Sequence, residues 1–196
     1  MQLSQMHDLG GCRAIVSSVE NVYALVQEFE TSRTKAELVR KYDYIAQPRA
    51  SGYRGVHLVY RYKTDYAVTK PYDGLRIEIQ LRSQMQHAWA TAVEVAGAFR
   101  GEALKSSHGN AGWLRFFQLM GSEIARVEGC AGVEGTPPQS FQLISELRDC
   151  ARELNVDQLL SGWTGTIEFI SQGAVDKAHH AAQEDYHGGS SGCPRR

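Results

Sequence analysis

The chain of 196 residues has the length of one ordinary domain with a small appendage. Hydrophobic residues make up 42% and charged residues 22%, which excludes wholesale disorder, and the formal charge of −1 excludes a histone-like or polybasic protein. No run approaches the roughly 20 apolar residues that span a bilayer, the polar start is not a signal peptide, and the four cysteines form no CxxC pair. The sequence therefore predicts a globular cytoplasmic protein that does not bind a membrane.

In chain order, the first predicted elements are a buried strand over Cys12–Val16 and a helix over Val19–Phe29 with one apolar face. Residues 34–41 are expected to form a short helix, and a loop follows around Pro48. His57–Tyr62 is rich in strand-forming residues and predicts a second strand.

A third strand is predicted over Leu75–Arg82, where apolar and polar side chains alternate strictly. Its apolar residues face one way and its polar residues the other, so it has one buried face and one working face. The polar side chains are Arg76, Glu78, Gln80 and Arg82.

Ser83 is expected to cap a helix that ends near Phe99. Its predicted apolar stripe consists of Met85, Ala88, Trp89, Ala92 and Val95. The later predicted elements are a loop over Gly101–Gly112, helices over Trp113–Glu128 and Ser140–Leu154, a strand over Thr164–Ser171 and a frayed tail from residue 172. This order of elements predicts the α+β class, with a mixed sheet flanked by helices and a helical C-terminal extension.

Positive charge is concentrated in residues 33–63, which hold eight basic and two acidic residues, a net charge of +6. One interpretation is a solvated basic face. The other is a nucleotide site, because cationic side chains bind phosphates while aromatic rings stack on bases. The tyrosines within this segment are Tyr42, Tyr44, Tyr53, Tyr60 and Tyr62.

The stretch Pro48–His57 concentrates two glycines, a serine, two arginines, a tyrosine and a histidine. Arg49 and Arg54 could bind phosphates and Tyr53 could stack on a base, but a glycine-rich turn whose tyrosine fills the core fits equally well. On the polar strand, Glu78 between two arginines fits a surface charge ladder, and a second carboxylate would favour a magnesium site instead. Asp8 is a candidate for that second carboxylate, and a helix cap is the alternative.

Together these residues form four motifs in register. They are Asp8–Arg13 (DLGGCR), Asp43–Arg49 (DYIAQPR), Ser51–His57 (SGYRGVH) and Glu78–Arg82 (EIQLR). The pattern resembles the alarmone synthetase domain of the RelA/SpoT family over roughly residues 1–107. The resemblance implies a nucleotidyltransferase-like mixed sheet and a GTP pyrophosphokinase, which transfers pyrophosphate from ATP to the ribose 3′-hydroxyl of GDP or GTP. The resemblance does not extend beyond this region, and from the predicted elements alone we expect a helical extension over residues 108–171 packing on that domain and a flexible tail over residues 172–196.

The resemblance also assigns residues. Asp8 and Glu78 are the implied catalytic carboxylates and Mg²⁺ ligands, and Tyr53 is the implied ring that stacks on the acceptor base. Arg49 stands where the family usually has lysine, and Ser51 where many members have asparagine. The implied substrate-binding residues are Arg13, Lys41, Arg49, Ser51, Tyr53, His57, Gln80 and Arg82.

This chain departs from the family pattern in two places. The family carries an Arg-x-Lys…Ser…Lys element that grips ATP upstream of the first aspartate, whereas only seven residues precede Asp8. We therefore expect either a truncated start or impaired ATP binding. The family's lysine before Asp43 is replaced by Tyr42, with Lys41 displaced by one position.

Two alternative functions remain open at this point. One is a toxic small synthetase that pyrophosphorylates the 3′ end of tRNA, and the other is a catalytically impaired, regulatory guanine-nucleotide-binding module. The predicted partners are ATP and GDP or GTP, with tRNA in the first alternative. The helices after residue 110 leave open a homo-oligomer or a neutralising protein partner.

Overall fold

The computed structural model describes residues 10–102, 104 and 108–158 of the chain. Four strands form one sheet in the order β1-β4-β3-β2, in which β1 runs parallel to β4 and the other neighbours are antiparallel. The strands are β1 (Gly10–Val16), β2 (Glu37–Asp43), β3 (Val56–Arg61) and β4 (Arg76–Ser83). The mixed sheet and the α+β class predicted from the sequence are confirmed.

Four α-helices accompany the sheet in the described residues. They are α1 (Val19–Thr31), α2 (Gln84–Arg100), α3 (Ala111–Val127) and α4 (Ser140–Glu153), and a short 3-10 helix covers Lys70–Tyr72. None of the helices in this part of the chain is long and apolar enough to cross a bilayer. Residues Met1–Cys150 form one compact unit, and the second, Ala151–Arg196, is described only over residues 151–158.

Several sequence predictions fall outside the described residues. These are Asp8, the strand over Thr164–Ser171 and the tail from residue 172. The domain limits at residues 107 and 171 stay predictions.

The short helix predicted over residues 34–41 is wrong, because most of this segment belongs to β2. That strand pairs antiparallel with β3, with Lys41 opposite Leu58 and Tyr42 opposite His57. Tertiary pairing therefore overrides the local preference for a helix. Since successive side chains of a strand point to opposite faces, Tyr42 and Lys41 lie on different sides of the sheet.

Helix α1 seals one face of the sheet. Its buried face packs with side chains of β3 and β4 in a core of Val19, Val22, Val26, Ile45, Val56, Leu58, Tyr60 and Leu81. The Tyr60 hydroxyl donates a hydrogen bond to the Phe29 carbonyl at 3.0 Å, which ties the end of α1 to β3. The polar side chains of β3 and β4 are consequently directed to the opposite face.

The predicted N-terminal cap of α2 is confirmed, but the apolar face predicted for this helix does not coincide with the face that is buried. The Ser83 hydroxyl accepts from the Gln86 backbone N–H, and the Gln86 side chain accepts from the Ser83 N–H, a reciprocal capping box. Gln86 is therefore buried, whereas Met85, which was expected on the buried face, is 38% exposed. The buried positions of α2 are Gln86, Trp89, Ala90, Val93, Ala96 and Gly97.

The loop before β3 touches the backbone of α3 at two glycines. Gly52 has φ +95°, a conformation that favours glycine, and a Cβ on Gly121 would lie 2.6 Å from the Gly52 carbonyl oxygen. Beside this contact the Trp89 indole donates to the Phe117 carbonyl at 2.8 Å. The loop is therefore seated directly on α3.

Gly121→Ala should lower the free energy of unfolding by about 1–3 kcal/mol, because the new methyl group overlaps backbone that cannot move aside cheaply. Urea denaturation at constant m-value measures the change. Gly132→Ala is the matched control, because the nearest atom to its added Cβ is 3.7 Å away. Equal stability of the two variants would show that the loop yields to the methyl group.

Candidate active site

Glu78 lies on the polar face of β4 and receives a hydrogen bond on each carboxylate oxygen. His57 Nδ1 of β3 lies 2.8 Å from Oε1, and Gln80 Nε2 donates to Oε2 at 2.8 Å. The side chains of Glu78 and His57 are only 17% and 13% exposed. These contacts fix the carboxylate while leaving lone pairs on both oxygens.

Tyr53, in the loop before β3, completes the chain of contacts through His57. Its hydroxyl lies 2.5 Å from His57 Nε2. Burial lowers the pKa of His57, against the raising effect of Glu78, and burial also raises the pKa of Tyr53. A neutral imidazole has one N–H, so the Tyr53 hydroxyl donates to Nε2 and Nδ1–H donates to Glu78.

Two arginines hold the other end of this network. Arg82 Nη2 donates to the Tyr53 hydroxyl at 2.8 Å and to Gln80 Oε1 at 3.2 Å. From β1, Arg13 Nη2 also donates to Gln80 Oε1 at 3.2 Å. The donors therefore run in one direction, from the guanidiniums through Tyr53 and Gln80 to the Glu78 carboxylate.

The site repeats one pairing three times: an arginine held over a tyrosine ring that also accepts its hydrogen bond. The guanidinium lies 5.7 Å from the ring centroid in Arg40–Tyr42, 4.5 Å in Arg49–Tyr44 and 4.9 Å in Arg82–Tyr53. The corresponding N–H to hydroxyl distances are 2.9, 2.7 and 2.8 Å. Such pairs fix a cation in place without neutralising it.

The aromatic rings also contact one another. Tyr42 and Tyr44 stack in parallel at 5.7 Å with an interplanar angle of 7°, and Tyr44 meets both Tyr53 and His57 edge-on. We call the whole set the site cluster. Its members are Arg13, Arg40, Tyr42, Tyr44, Arg49, Tyr53, His57, Glu78, Gln80 and Arg82.

Positive charge dominates the site cluster. Four guanidiniums face one carboxylate, and within the described residues none of the four takes part in a salt bridge. Preordered, un-neutralised cations in a partly buried site favour a polyanionic ligand such as a nucleotide phosphate chain.

Most of the residues predicted from the sequence meet in this cluster, but Lys41 does not. It lies on the opposite face of β2, where its ammonium pairs with Glu30 at 2.9 Å. The displacement of the family's lysine by one position turns the side chain to the wrong side of a strand. Ser51 stays in the turn, where its hydroxyl accepts from the Tyr53 N–H at 3.4 Å.

Arg54 also departs from the sequence interpretation. It is 2% exposed and donates to the backbone carbonyls of Ile45 and Ala131, so it does not reach the cluster as a phosphate ligand. Arg40, by contrast, belongs to the cluster and was missed. A strand over residues 37–43 places it on the same face as Tyr42, but the segment has no alternating pattern that would have predicted a strand.

Among the described residues, the Glu78 carboxylate suits a magnesium ion whose other ligands are mainly substrate oxygens. In the described residues no group of three or more His, Cys, Asp or Glu side chains is arranged to hold a metal ion. Mg²⁺ commonly uses one or two carboxylates, with phosphates and water as its remaining ligands. Glu78 meets that requirement, and the role of Asp8 as second ligand stays a prediction.

A comparison with family models matches residues 1–100 to the region found in RelA and SpoT proteins. Two curated relatives from Bacillus subtilis are the GTP pyrophosphokinases YwaC, 29% identical over 86 residues, and YjbM, 31% identical over 90 residues. These alignments cover 44% and 46% of this chain. They cover only 40% and 41% of the relatives.

Two solved structures of small alarmone synthetases have folds similar to that of this chain. Small alarmone synthetase 1 from B. subtilis, bound to its product pppGpp, matches with a TM-score of 0.53 and 25% identity, over 65% of this chain and 62% of the other. Small alarmone synthetase 2 from the same organism matches with a TM-score of 0.54 and 19% identity, over 64% of each chain. The second likeness shows the fold alone.

Inorganic pyrophosphate should raise the melting temperature of this chain, and Arg49→Gln should remove most of the increase. A ligand that binds only the folded state stabilises it, by about 2–4 °C per kcal/mol for a chain of this length. Differential scanning fluorimetry at rising salt measures the effect, which should fade as charges are screened. Arg33→Gln, an exposed arginine outside the cluster, is the control. An undiminished shift in Arg49→Gln would place the anion elsewhere.

Proposed function

Because this chain belongs to the RelA/SpoT family, we propose that it is a GTP pyrophosphokinase of the small alarmone synthetase type. It transfers pyrophosphate from ATP to the ribose 3′-hydroxyl of GDP or GTP and releases AMP. One observation supports this most: guanidiniums held by tyrosines share the face of the sheet that carries the Glu78 carboxylate, the one carboxylate of the site cluster among the described residues. ATP and guanine nucleotides are abundant in the reducing cytoplasm, which is the compartment we propose.

The acceptor base stacks on Tyr53. The ring is only partly buried, and its hydroxyl is fixed by Arg82 and His57, so its orientation is set before the nucleotide binds. Arg49 lies over the adjacent Tyr44 ring and is positioned for the acceptor's 5′-phosphates. Binding that needs little rearrangement keeps more of its interaction energy as affinity.

Glu78 activates the acceptor. Its carboxylate takes the proton of the 3′-hydroxyl as that oxygen attacks the β-phosphorus of ATP, and the bond from this phosphorus to the oxygen bridging to the α-phosphate breaks. AMP leaves with the electron pair of that bond, and Glu78 later returns its proton to solvent. His57 and Gln80 hold the carboxylate in one orientation, so the reacting lone pair is already aimed.

The arginines stabilise the transferred group. Phosphoryl-type transfer needs positioning and charge stabilisation more than covalent chemistry, and Arg13 and Arg82 stand beside the Glu78–Gln80 pair. Glu78 and Asp8 would hold a Mg²⁺ ion, which when bound would neutralise further phosphate charge.

One observation favours a second candidate, the 3′ end of tRNA as acceptor. The parallel Tyr42–Tyr44 stack, capped by Arg40, continues the aromatic surface beyond Tyr53 along the edge strand β2. Alternating rings and cations of this length suit more than one base of a single strand. A mononucleotide acceptor does not require it.

The experiment is AMP release from Mg·ATP with GDP, GTP and deacylated tRNA offered separately. AMP formed with guanine nucleotides supports the synthetase, and AMP formed only with tRNA supports the second candidate. No AMP from a folded chain that binds GDP but not ATP would identify a regulatory guanine-nucleotide-binding module instead.

Glu78→Gln should reduce AMP release by at least about 100-fold, because an amide cannot accept the proton. GDP affinity should change little, since the amide oxygen still accepts from His57, and the melting temperature should fall by only a few degrees, the effect of the new NH₂ group facing Gln80 Nε2. Glu37→Gln, an exposed carboxylate of β2 that pairs with Lys63, is the control and should leave the rate unchanged. A parallel collapse of folding in Glu78→Gln would make Glu78 a structural residue.

Tyr42→Ala separates the two acceptors. If the Tyr42–Tyr44 stack holds a second base, this variant should lose about 1–3 kcal/mol of tRNA affinity while its KM for GDP stays constant. Filter binding of deacylated tRNA and steady-state rates with GDP measure the two effects. Equal losses with both acceptors would contradict a separate role for the stack.

A further inference from the structure

We infer that Glu128, at the end of α3, is a positioning residue that holds both the loop carrying Tyr53 and the end of the site strand β4. The family match ends at residue 100, so α3 and the turn after it lie beyond the matched region. The kinetic part of this inference rests on the proposed function, whereas its structural part does not.

Glu128 anchors the junction of β4 and α2. Its carboxylate accepts hydrogen bonds from the Ser83 hydroxyl and from Gln86 Nε2, the latter at 2.9 Å. Ser83 and Gln86 are 0% and 2% exposed. A carboxylate near a helix N-terminus is favoured by the positive end of the helix dipole, so this partly buried contact is also electrostatically matched. Ser83 directly follows Arg82, which fixes the Tyr53 hydroxyl.

Arg54 anchors the loop to the same turn. Its guanidinium is buried and donates through Nη1 to the Ile45 carbonyl at 3.1 Å and through Nη2 to the Ala131 carbonyl. Burial lowers the pKa of Arg54, and the nearby Glu128 carboxylate acts in the opposite direction. The negative charge of Glu128 therefore also helps to keep a buried guanidinium charged.

The chain neighbours of Tyr53 and Arg82 are therefore fixed by α3 and the turn that follows it. Tyr53 stands between Gly52, seated on Gly121, and Arg54, bonded to the turn after α3. Arg82 stands one residue before Ser83, bonded to Glu128. Displacement of this turn shifts both partners of the Arg82–Tyr53 contact, on which the orientation of His57 and Glu78 depends.

Glu128→Gln tests the inference with little change of volume. The amide keeps one acceptor for the Ser83 hydroxyl, but its NH₂ group then faces the NH₂ of Gln86. Adding Gln86→Glu should rescue the pair, since the amide at 128 then donates to the carboxylate at 86. Glu123→Gln, on the same helix and paired with Arg126, is the matched control.

Two measurements are made on the full chain. In Glu128→Gln the KM for GDP should rise by about three- to tenfold, the effect of one misplaced hydrogen bond, with the KM for ATP constant. Hydrogen exchange of the amides in residues 49–57 should accelerate in the same variant, with those of α1 unchanged. Gln86→Glu should return both quantities toward their original values.

The possible outcomes distinguish a failure of this inference from a failure of the proposed function. Faster exchange in residues 49–57 that Gln86→Glu reverses supports the positioning role of Glu128. This holds even if the original chain releases no AMP, an outcome that contradicts only the proposed function. Unchanged exchange in this loop, or a lower melting temperature with both KM values constant, would overturn the inference and leave Glu128 as a stabilising residue.

Discussion

The Tyr53 hydroxyl joins the parts of the site that come from different places in the chain. It accepts from Arg82 of β4 and donates to His57 of β3, and His57 in turn donates to Glu78. Burial lowers the pKa of His57, which favours the neutral imidazole, and a neutral imidazole gives each hydrogen bond a single direction. The loop, the two strands and the carboxylate thus share one network, and the position of each side chain depends on the others.

The cost of this arrangement is electrostatic. Guanidiniums placed near one another repel, and carboxylate partners are the common way to relieve that repulsion. In the site cluster, tyrosine rings and hydroxyls hold Arg40, Arg49 and Arg82 instead, so the positive potential stays available to a ligand. The fold is stabilised away from the site, by the hydrophobic core between α1 and the sheet and by the close contact of the Gly52 loop with α3.

Sequence periodicity predicted the central strand, and the resemblance named most of the residues that the structure brings together in the site cluster. The strict alternation of Leu75–Arg82 predicted which side chains share the working face, and Ser83 predicted the start of α2. The same reasoning failed for residues 34–41, because an edge strand depends on pairing with β3 and not on local preference. The side of the sheet taken by Lys41 depended on that strand. Glu128 carries no sequence signal, since its partners are more than forty residues away.

The Arg40–Tyr42 pair lies on β2, which has a sheet neighbour on one side only in the described part of the chain. Side chains on such an edge strand pack against neighbours on one side only. Glu78 and His57 lie on the inner strands β4 and β3 and contact neighbouring strands on both sides. Substitution at residues 40 and 42 is therefore expected to disturb the fold less than substitution at Glu78 or His57. The edge strand is thus the part of the site cluster that tolerates changes of side chain most readily.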